Sequence, residues 1–204
     1  MATNYGTPPT TFGLAGKFFN GSWRSTIQNG NIGTLPLTPD NDSSNVSGSG
    51  GMPSADHRFG VNLWPYIDYG NSEGSNYGFI AIGYFIPPTT GTYTFYTASD
   101  DGSGVWVGDL ALPNAIRTAA NATLDNNLGG GQGTVKRSDT IDLNANKMYP
   151  IRIVHEEASG GDDLRFTWSG PNLPETEDLT TYFRTPLNNK KQLAGNYFFY
   201  EYNS

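Results

Sequence analysis

The chain contains no cysteine and only two histidines, His57 and His155, among its 204 residues. Disulfide bonds and thiolate metal sites are therefore excluded. A zinc site is not indicated either, because the two histidines are far apart and form no pair at ligand spacing. We expect His155 to be a residue at the end of a strand and not a metal ligand.

Charge is also scarce, since only 15% of the residues are charged and the formal net charge is −7. An acidic surface repels phosphate backbones, so we expect no nucleic-acid partner. A cation or a neutral polar ligand fits this charge balance better. No stretch is apolar over the length that a bilayer requires, so we expect no membrane insertion. The first six residues lack the basic and apolar regions of a signal peptide.

What the chain does contain is a β-sheet pattern, with 26 glycines, 13 prolines and an aromatic share of 13%. Short apolar or alternating runs recur between turn residues, and almost no helical period is present. The runs span residues 16–20, 58–64, 77–86, 93–97, 139–143, 148–155 and 164–168. We predict one domain over residues 1–204, an all-β antiparallel sandwich of jelly-roll type with long surface loops and little helix.

The turns between these runs predict which strands pair. We expect 77–86 and 93–97 to form one hairpin, 139–143 and 148–155 to form another, and 164–168 to return antiparallel after 148–155. Further expectations are a surface excursion over residues 29–56, a short helix within 114–127, a flexible glycine loop at 129–133, and late strands at 182–183 and 197–200.

Two adjacent carboxylates, Asp100 and Asp101, stand between the apparent strands 91–98 and 105–107. Neighbouring like charges repel, and a bound hard cation would offset that repulsion, so the pair is a candidate metal site. A solvated turn is the alternative, because Asp and Gly are common turn residues.

A second acidic loop, residues 156–163, follows strand 148–155 and precedes strand 164–168. It carries four carboxylates, and its central glycines allow backbone carbonyls to turn inward, a mixture of oxygens that suits calcium. Both loops follow an outgoing strand and precede a returning one, so we expect them at the same end of the sandwich. An exposed acidic turn is the alternative. The spacing of neither loop is that of an EF-hand.

Three segments carry a recognisable pattern. Residues 14–21 are Leu-Ala-Gly-Lys-Phe-Phe-Asn-Gly, and residues 83–95 are followed by Ser99-Asp-Asp-Gly-Ser and Trp106-Val-Gly. Residues 149–153 are followed by the acidic loop and Leu164-Arg-Phe-Thr-Trp168. In this order the segments resemble the opening strand, the central signature and the late hairpin of the anthrax protective-antigen-like β-sandwich family, which includes the GLEYA-type lectin domains of yeast flocculins and bacterial adhesins. Yeast members of this family carry disulfides, which this chain lacks, so the resemblance favours a bacterial or viral relative.

The resemblance implies a calcium site and a sugar site at the two acidic loops. It implies a cis peptide bond between the two aspartates, which chelate one calcium. The remaining ligands implied are the side chain of Glu157 and the backbone carbonyls of Ser159 and Gly161. Yeast flocculins commonly carry Asn at the position of Glu157, so the extra negative charge leaves Glu156 and Asp162 open as alternative ligands.

The function that follows is a calcium-dependent lectin domain of a surface adhesin or virion protein, in which a sugar diol completes the calcium shell. The expected sugar-binding residues are Asp100, Asp101, Gly161, Asp162 and Asp163, with Trp106 or Trp64 as stacking faces if they are not core. We expect glycan partners, an extracellular, cell-surface or virion-surface location, and a monomeric domain within a larger protein.

Two other classes of function are compatible with the sequence. Asp100, Asp101, Glu156 and Glu157 form a candidate acid and base set for a glycoside hydrolase, although calcium ligands must stay ionised and make poor proton donors. The other class is a structural spacer without a functional site. We expect no enzymatic activity, because no apolar pocket around a general acid and no nucleophile–His arrangement is evident.

Overall fold

The computed structural model describes residues 8–20, 62–70, 75–112 and 115–185. In chain order the strands of these ranges are β1 (Thr11–Phe12), β2 (Leu14–Asn20), β3 (Asn62–Trp64), β4 (Ile67–Gly70), β5 (Tyr77–Phe85), β6 (Gly91–Asp100), β7 (Ser103–Val107), β8 (Leu124–Asn126), β9 (Val135–Leu143), β10 (Tyr149–Glu157), β11 (Asp163–Gly170), β12 (Leu173–Thr176) and β13 (Phe183–Thr185). All pairings among them are antiparallel, which confirms the predicted all-β sandwich.

The strands form two sheets. The larger sheet has eight strands in the order β1-β13-β5-β10-β7-β8, with β2 also paired to β5 and β3 paired to β2. The smaller sheet has five strands in the order β12-β11-β6-β9, with β4 also paired to β11. The inner faces of the two sheets enclose the main core, whose largest members are aromatic side chains such as Phe85, Phe95 and Trp168. Aromatic side chains bury a large area each, and this compensates for the small apolar share of the sequence.

The central strands of the larger sheet are buried on both faces. Every residue of β5 and β7 is buried. Side chains that point away from the main core, such as Ile80, Trp106 and Val154, pack into a second cluster on the outer face of the sheet. The segment around the 3-10 turn Gly108–Ala111 contributes to that cluster. A strand that is covered on both faces has a continuous apolar run, which explains the sequence of residues 77–86.

The predicted hairpins are wrong, because the connections cross between the sheets. β5 pairs with β10, β2 and β13 in the larger sheet, whereas β6, the next strand along the chain, pairs with β9 and β11 in the smaller sheet. Likewise β9 and β10 lie in different sheets, and β11 pairs with β6 instead of β10. A period of two identifies a strand and its two faces, but it fits a partner in either sheet.

The helical content is small, as predicted. In the described ranges it consists of the 3-10 turns Gly108–Ala111 and Ala119–Asn121, so the short helix expected within 114–127 is reduced to one turn. None of the helical segments in these ranges is long and apolar enough to cross a membrane. The surface excursion at 29–56 and the late strand at 197–200 fall outside the described residues. The late strand at 182–183 corresponds to β13.

Candidate metal and ligand site

Both acidic loops connect one sheet to the other at the same end of the sandwich, as the sequence predicts. The chain leaves the smaller sheet at Asp100 and enters the larger sheet at Ser103. It returns from Glu157 in the larger sheet to Asp163 in the smaller sheet. Asp163 lies directly opposite Asp100 in the register of β11 and β6, and Ser103 lies opposite His155 in that of β7 and β10. The two crossings are therefore adjacent.

Three carboxylates meet at this end. One oxygen from each of Asp100, Asp101 and Glu157 lies within 4.8 Å of the other two. Asp101 is 4% exposed and Glu157 is fully buried, whereas Asp100 is half-buried. The peptide bond that joins Asp100 to Asp101 is cis. The cluster thus has buried members on the inside and one member facing the surface.

Backbone N–H groups hold two of the carboxylates in place. Asp101 Oδ1 accepts a hydrogen bond from the N–H of Gln132 at 3.0 Å, and its Oδ2 accepts one from Ala158 at 3.1 Å. Glu157 Oε2 accepts the N–H of Asp101 at 3.1 Å. Donors from three separate parts of the chain therefore fix the positions of these carboxylate oxygens before any ligand binds.

The electrostatics of the cluster favour a cation. Burial, together with the nearby charges of Asp101, Asp100 and Asp162, raises the pKa of Glu157 to about 8. Its other oxygen, Oε1, is buried and has no hydrogen-bond partner within the described part of the chain. Buried carboxylate oxygens are normally paired. A hard divalent ion such as Ca²⁺ would satisfy Oε1 and offset the repulsion, so these residues fit a calcium site.

The structure separates Glu157 from Glu156, which the sequence left as alternatives. Successive side chains of a strand point to opposite faces. On β10 Ile153 packs in the main core and Val154 packs in the outer cluster, so Glu157 continues the core face and Glu156 the outer face. Glu157 is the member that joins Asp100 and Asp101.

The other predicted residues of the second loop have different surroundings. Ser159 and Gly161 are exposed, and their role as carbonyl ligands stays a prediction. Asp162 is only 3% exposed, and its Oδ2 accepts a hydrogen bond from the hydroxyl of Tyr77 at 3.1 Å. Burial raises the pKa of that tyrosine, which keeps the hydroxyl protonated as a donor. Asp163 is half-buried and accepts a hydrogen bond from the Thr134 hydroxyl.

Neither candidate tryptophan offers a stacking face. Trp106 is fully buried in the outer cluster, and its ring N–H donates to Asn121 at 3.0 Å. Trp64 is 5% exposed and packs edge-on against Phe79 in the main core. Both are core residues, as their places in alternating strands indicate.

A third loop, residues 127–134, borders the site and was not expected there. Its Gln132 donates its backbone N–H to Asp101 and its side-chain amide to the carbonyl of Ser99 at 3.2 Å. The same amide donates to Asn126 Oδ1 at 3.1 Å, and Asn126 in turn donates to Ser99 Oγ. Thr134, at the end of the loop, reaches Asp163. The glycine loop that the sequence marks as flexible therefore connects both acidic loops.

Gly102, which directly follows Asp101, packs closely against the backbone of this third loop. A Cβ atom there would collide with the carbonyl oxygen of Asn127 and would lie 3.0 Å from Leu128 Cα. Both are backbone atoms, so we expect Gly102→Ala to lower the free energy of unfolding by about 1–3 kcal/mol. Denaturant titration measures this effect. Gly133→Ala is the matched control, because no heavy atom lies within 4 Å of its Cβ position. Equal stability of the two variants would contradict the prediction.

The sequence of the site region matches a known family. Residues 77–170 match the sequence model described as the GLEYA domain. Flocculation protein FLO1 of Saccharomyces cerevisiae is 30% identical to the chain over 155 residues, a match that spans 72% of this chain and 10% of that protein. The chain thus corresponds to about a tenth of the curated relative that it matches.

Solved structures share the fold. The A domain of epithelial adhesin 9 from Candida glabrata, crystallised with Galb1-4GlcNAc, superposes with a TM-score of 0.58 at 14% identity, over 92% of this chain and 97% of that domain. The PA14 sugar-binding domain of an RTX adhesin superposes with a TM-score of 0.54 at 15% identity, over 86% of this chain and 99% of that domain. The fold is that of the GLEYA and flocculin-type, PA14-like adhesin domains. The protective-antigen label and the bacterial or viral origin stay predictions.

Proposed function

We propose that this chain is a calcium-dependent carbohydrate-binding domain of a surface adhesin. The observation that carries the proposal is the cluster of Asp100, Asp101 and Glu157, with one oxygen of each within 4.8 Å of the others and one buried oxygen of Glu157 without a partner in the described ranges. Such a group of oxygens suits calcium, which takes six to eight oxygen ligands. Protein side chains alone do not fill that shell, so coordination positions remain for a ligand.

A sugar diol is the ligand that we propose for those positions. Two vicinal hydroxyls replace water at the ion as hard oxygens. Asp100 is the half-buried member of the cluster, and exposed Gly161 and half-buried Asp163 lie in the loop opposite. These residues are the ones that we place at the sugar. Asp162 is buried against Tyr77 and is proposed to support the loop instead.

Similar proteins support a carbohydrate as the ligand class. The Candida glabrata adhesin domain was crystallised with a disaccharide, and the RTX adhesin domain is described as sugar-binding. The relative from Saccharomyces cerevisiae is a flocculation protein. By analogy we propose a glycan partner, an extracellular, cell-surface or virion-surface location, and a monomeric domain within a larger protein. A shallow monovalent site of this kind binds on the order of mM, and multiple copies would supply avidity.

We propose that the site binds glycans without hydrolysing them. The three carboxylates lie close together, with one oxygen of each within 4.8 Å of the others. A calcium ion held by the same carboxylates would keep them ionised, which removes the proton that a general acid must donate.

Calcium removal tests the proposal. We expect the domain to bind a glycan array in the presence of about 1 mM calcium, a concentration on the order of the Kd of extracellular calcium modules. The signal should disappear with a chelator and return when calcium is restored, because the ion holds the sugar. Incubation with any bound polysaccharide should release no new reducing ends. Glycan binding that is unaffected by the chelator would contradict calcium dependence, and released reducing ends would instead support the hydrolase.

A further inference from the structure

His155 is a buried polar residue that the proposed calcium and sugar contacts do not use. It is fully buried on β10, two residues before Glu157 and on the same face of the strand. Its ring lies between those of Tyr69 and Tyr77, with centroid distances of 5.8 and 5.9 Å. Polar ring nitrogens in an aromatic core need partners, because unsatisfied buried polar groups cost free energy.

Both nitrogens of His155 have such partners. Nε2 lies 3.0 Å from the backbone carbonyl oxygen of Asp100, and Nδ1 lies 2.9 Å from the hydroxyl of Tyr69. A carbonyl oxygen only accepts, so Nε2 must carry the hydrogen. Complete burial disfavours the charged imidazolium, which leaves Nδ1 as an acceptor for the Tyr69 hydroxyl. The surroundings therefore select one neutral tautomer.

In this tautomer His155 donates to the peptide group that joins Asp100 to Asp101. The carbonyl of Asp100 accepts from His155, and the N–H of Asp101 in the same peptide group donates to Glu157 Oε2 at 3.1 Å. Alternate residues of one strand thus hold both polar ends of the peptide group that joins the two aspartates. The orientation of that group sets the directions in which the two aspartate side chains leave the backbone.

We propose that His155 is a positioning residue for the two aspartates: it fixes the peptide group between them and so sets the geometry of the carboxylate cluster. The proposal rests on the proposed calcium-binding function for its effect on affinity, but its effect on the loop is independent of calcium. Tyr69 pairs the remaining nitrogen, Nδ1, whereas the Asp100 carbonyl selects the tautomer.

Three variants test this role. His155→Gln retains an N–H donor toward the Asp100 carbonyl, His155→Leu removes it, and Tyr69→Phe leaves the imidazole but removes its hydroxyl partner. Without calcium, we expect His155→Leu to speed hydrogen exchange of the Asp101 amide at least about 10-fold, because an unpaired carbonyl releases the peptide group. His155→Gln should bring the rate to within about 3-fold of wild type, although both substitutions remove the ring from its aromatic contacts and should lower the unfolding temperature. Tyr69→Phe should change the exchange rate by less than about 3-fold.

Calcium titration by calorimetry supplies the second measurement. We expect the calcium Kd of His155→Leu to rise at least about 10-fold, and that of His155→Gln to stay within about 3-fold of wild type, since the aspartates then keep their geometry. Unchanged Asp101 exchange in His155→Leu, or equal exchange in the Leu and Gln variants, would overturn the positioning role whatever the calcium result. Wild-type protein that takes up no calcium, with the exchange differences present, would instead overturn the proposed function and leave the role of His155 in the loop established.

Discussion

Asp101→Asn is expected to abolish glycan binding while the domain stays folded. Asp101 is a buried member of the carboxylate cluster, so the substitution removes one of the negative charges that face the proposed ion. Removing one partner of a buried charge pair typically costs 2–5 kcal/mol, and 1.4 kcal/mol corresponds to tenfold in affinity. We therefore expect calcium affinity to fall at least about 100-fold in a calorimetric titration, with loss of the glycan-array signal at equal calcium.

The hydrogen bonds of Asp101 determine which substitution gives a clean result. Its two oxygens accept the backbone N–H groups of Gln132 and Ala158. Asp101→Ala leaves both donors unpaired, at about 1–3 kcal/mol each, so it should lose stability as well as binding. Asparagine retains one acceptor oxygen and most of the shape, so it leaves one donor unpaired instead of two. Asp125→Asn is the matched control, because Asp125 also accepts a backbone N–H, from Leu128 at 2.9 Å, but lies outside the cluster. Glycan binding by Asp101→Asn at wild-type strength would contradict the proposed function.

The position of the two acidic loops could be predicted from the sequence, but the pairing of the strands could not. Asp100 and Asp101 follow one alternating strand and precede another, and the loop after Glu157 does the same, which suffices to place both at one end. Strand alternation reports which residues share a face and contains no information about the partner strand. For that reason the alternation suggests a hairpin of β5 and β6, although the two strands belong to different sheets.

The sequence suffices to select Glu157 over Glu156 as the candidate metal ligand. Ile151 and Ile153 share the core face of β10, and continuing the alternation places His155 and Glu157 on that face. The contact of Gln132 with Asp101 could not be predicted from the sequence. Its glycine-rich loop has no periodic pattern, and only the folded chain brings it to Asp101, 31 residues away in sequence. Contacts between loops that are distant in sequence leave no local signal in a single chain.

Glu157→Gln is expected to have effects of opposite sign on the metal-free and calcium-loaded protein. In the metal-free protein, Glu157 is fully buried, is crowded by Asp101 and Asp100, and has one oxygen without a partner in the described residues. Such a carboxyl group either stays charged among like charges or takes up a proton, and both cost free energy relative to the unfolded chain. Glutamine has neither cost, so the metal-free unfolding temperature should rise, by about 2–4 °C for each kcal/mol gained.

Calcium should reverse the order of the unfolding temperatures of the wild-type domain and Glu157→Gln. At a calcium concentration of about 100 times its Kd, the wild-type domain gains about 2.7 kcal/mol, which corresponds to a rise of roughly 5–10 °C. Glu157→Gln lacks a charged ligand and should show little of this rise. Calorimetric unfolding with calcium and with a chelator measures all four temperatures. Glu156→Gln is the matched control, because Glu156 is equally buried but lies on the outer face of β10, and its calcium-dependent rise should persist. A lower metal-free unfolding temperature for Glu157→Gln, together with a full calcium response, would show that Glu157 is a structural carboxylate and not a ligand.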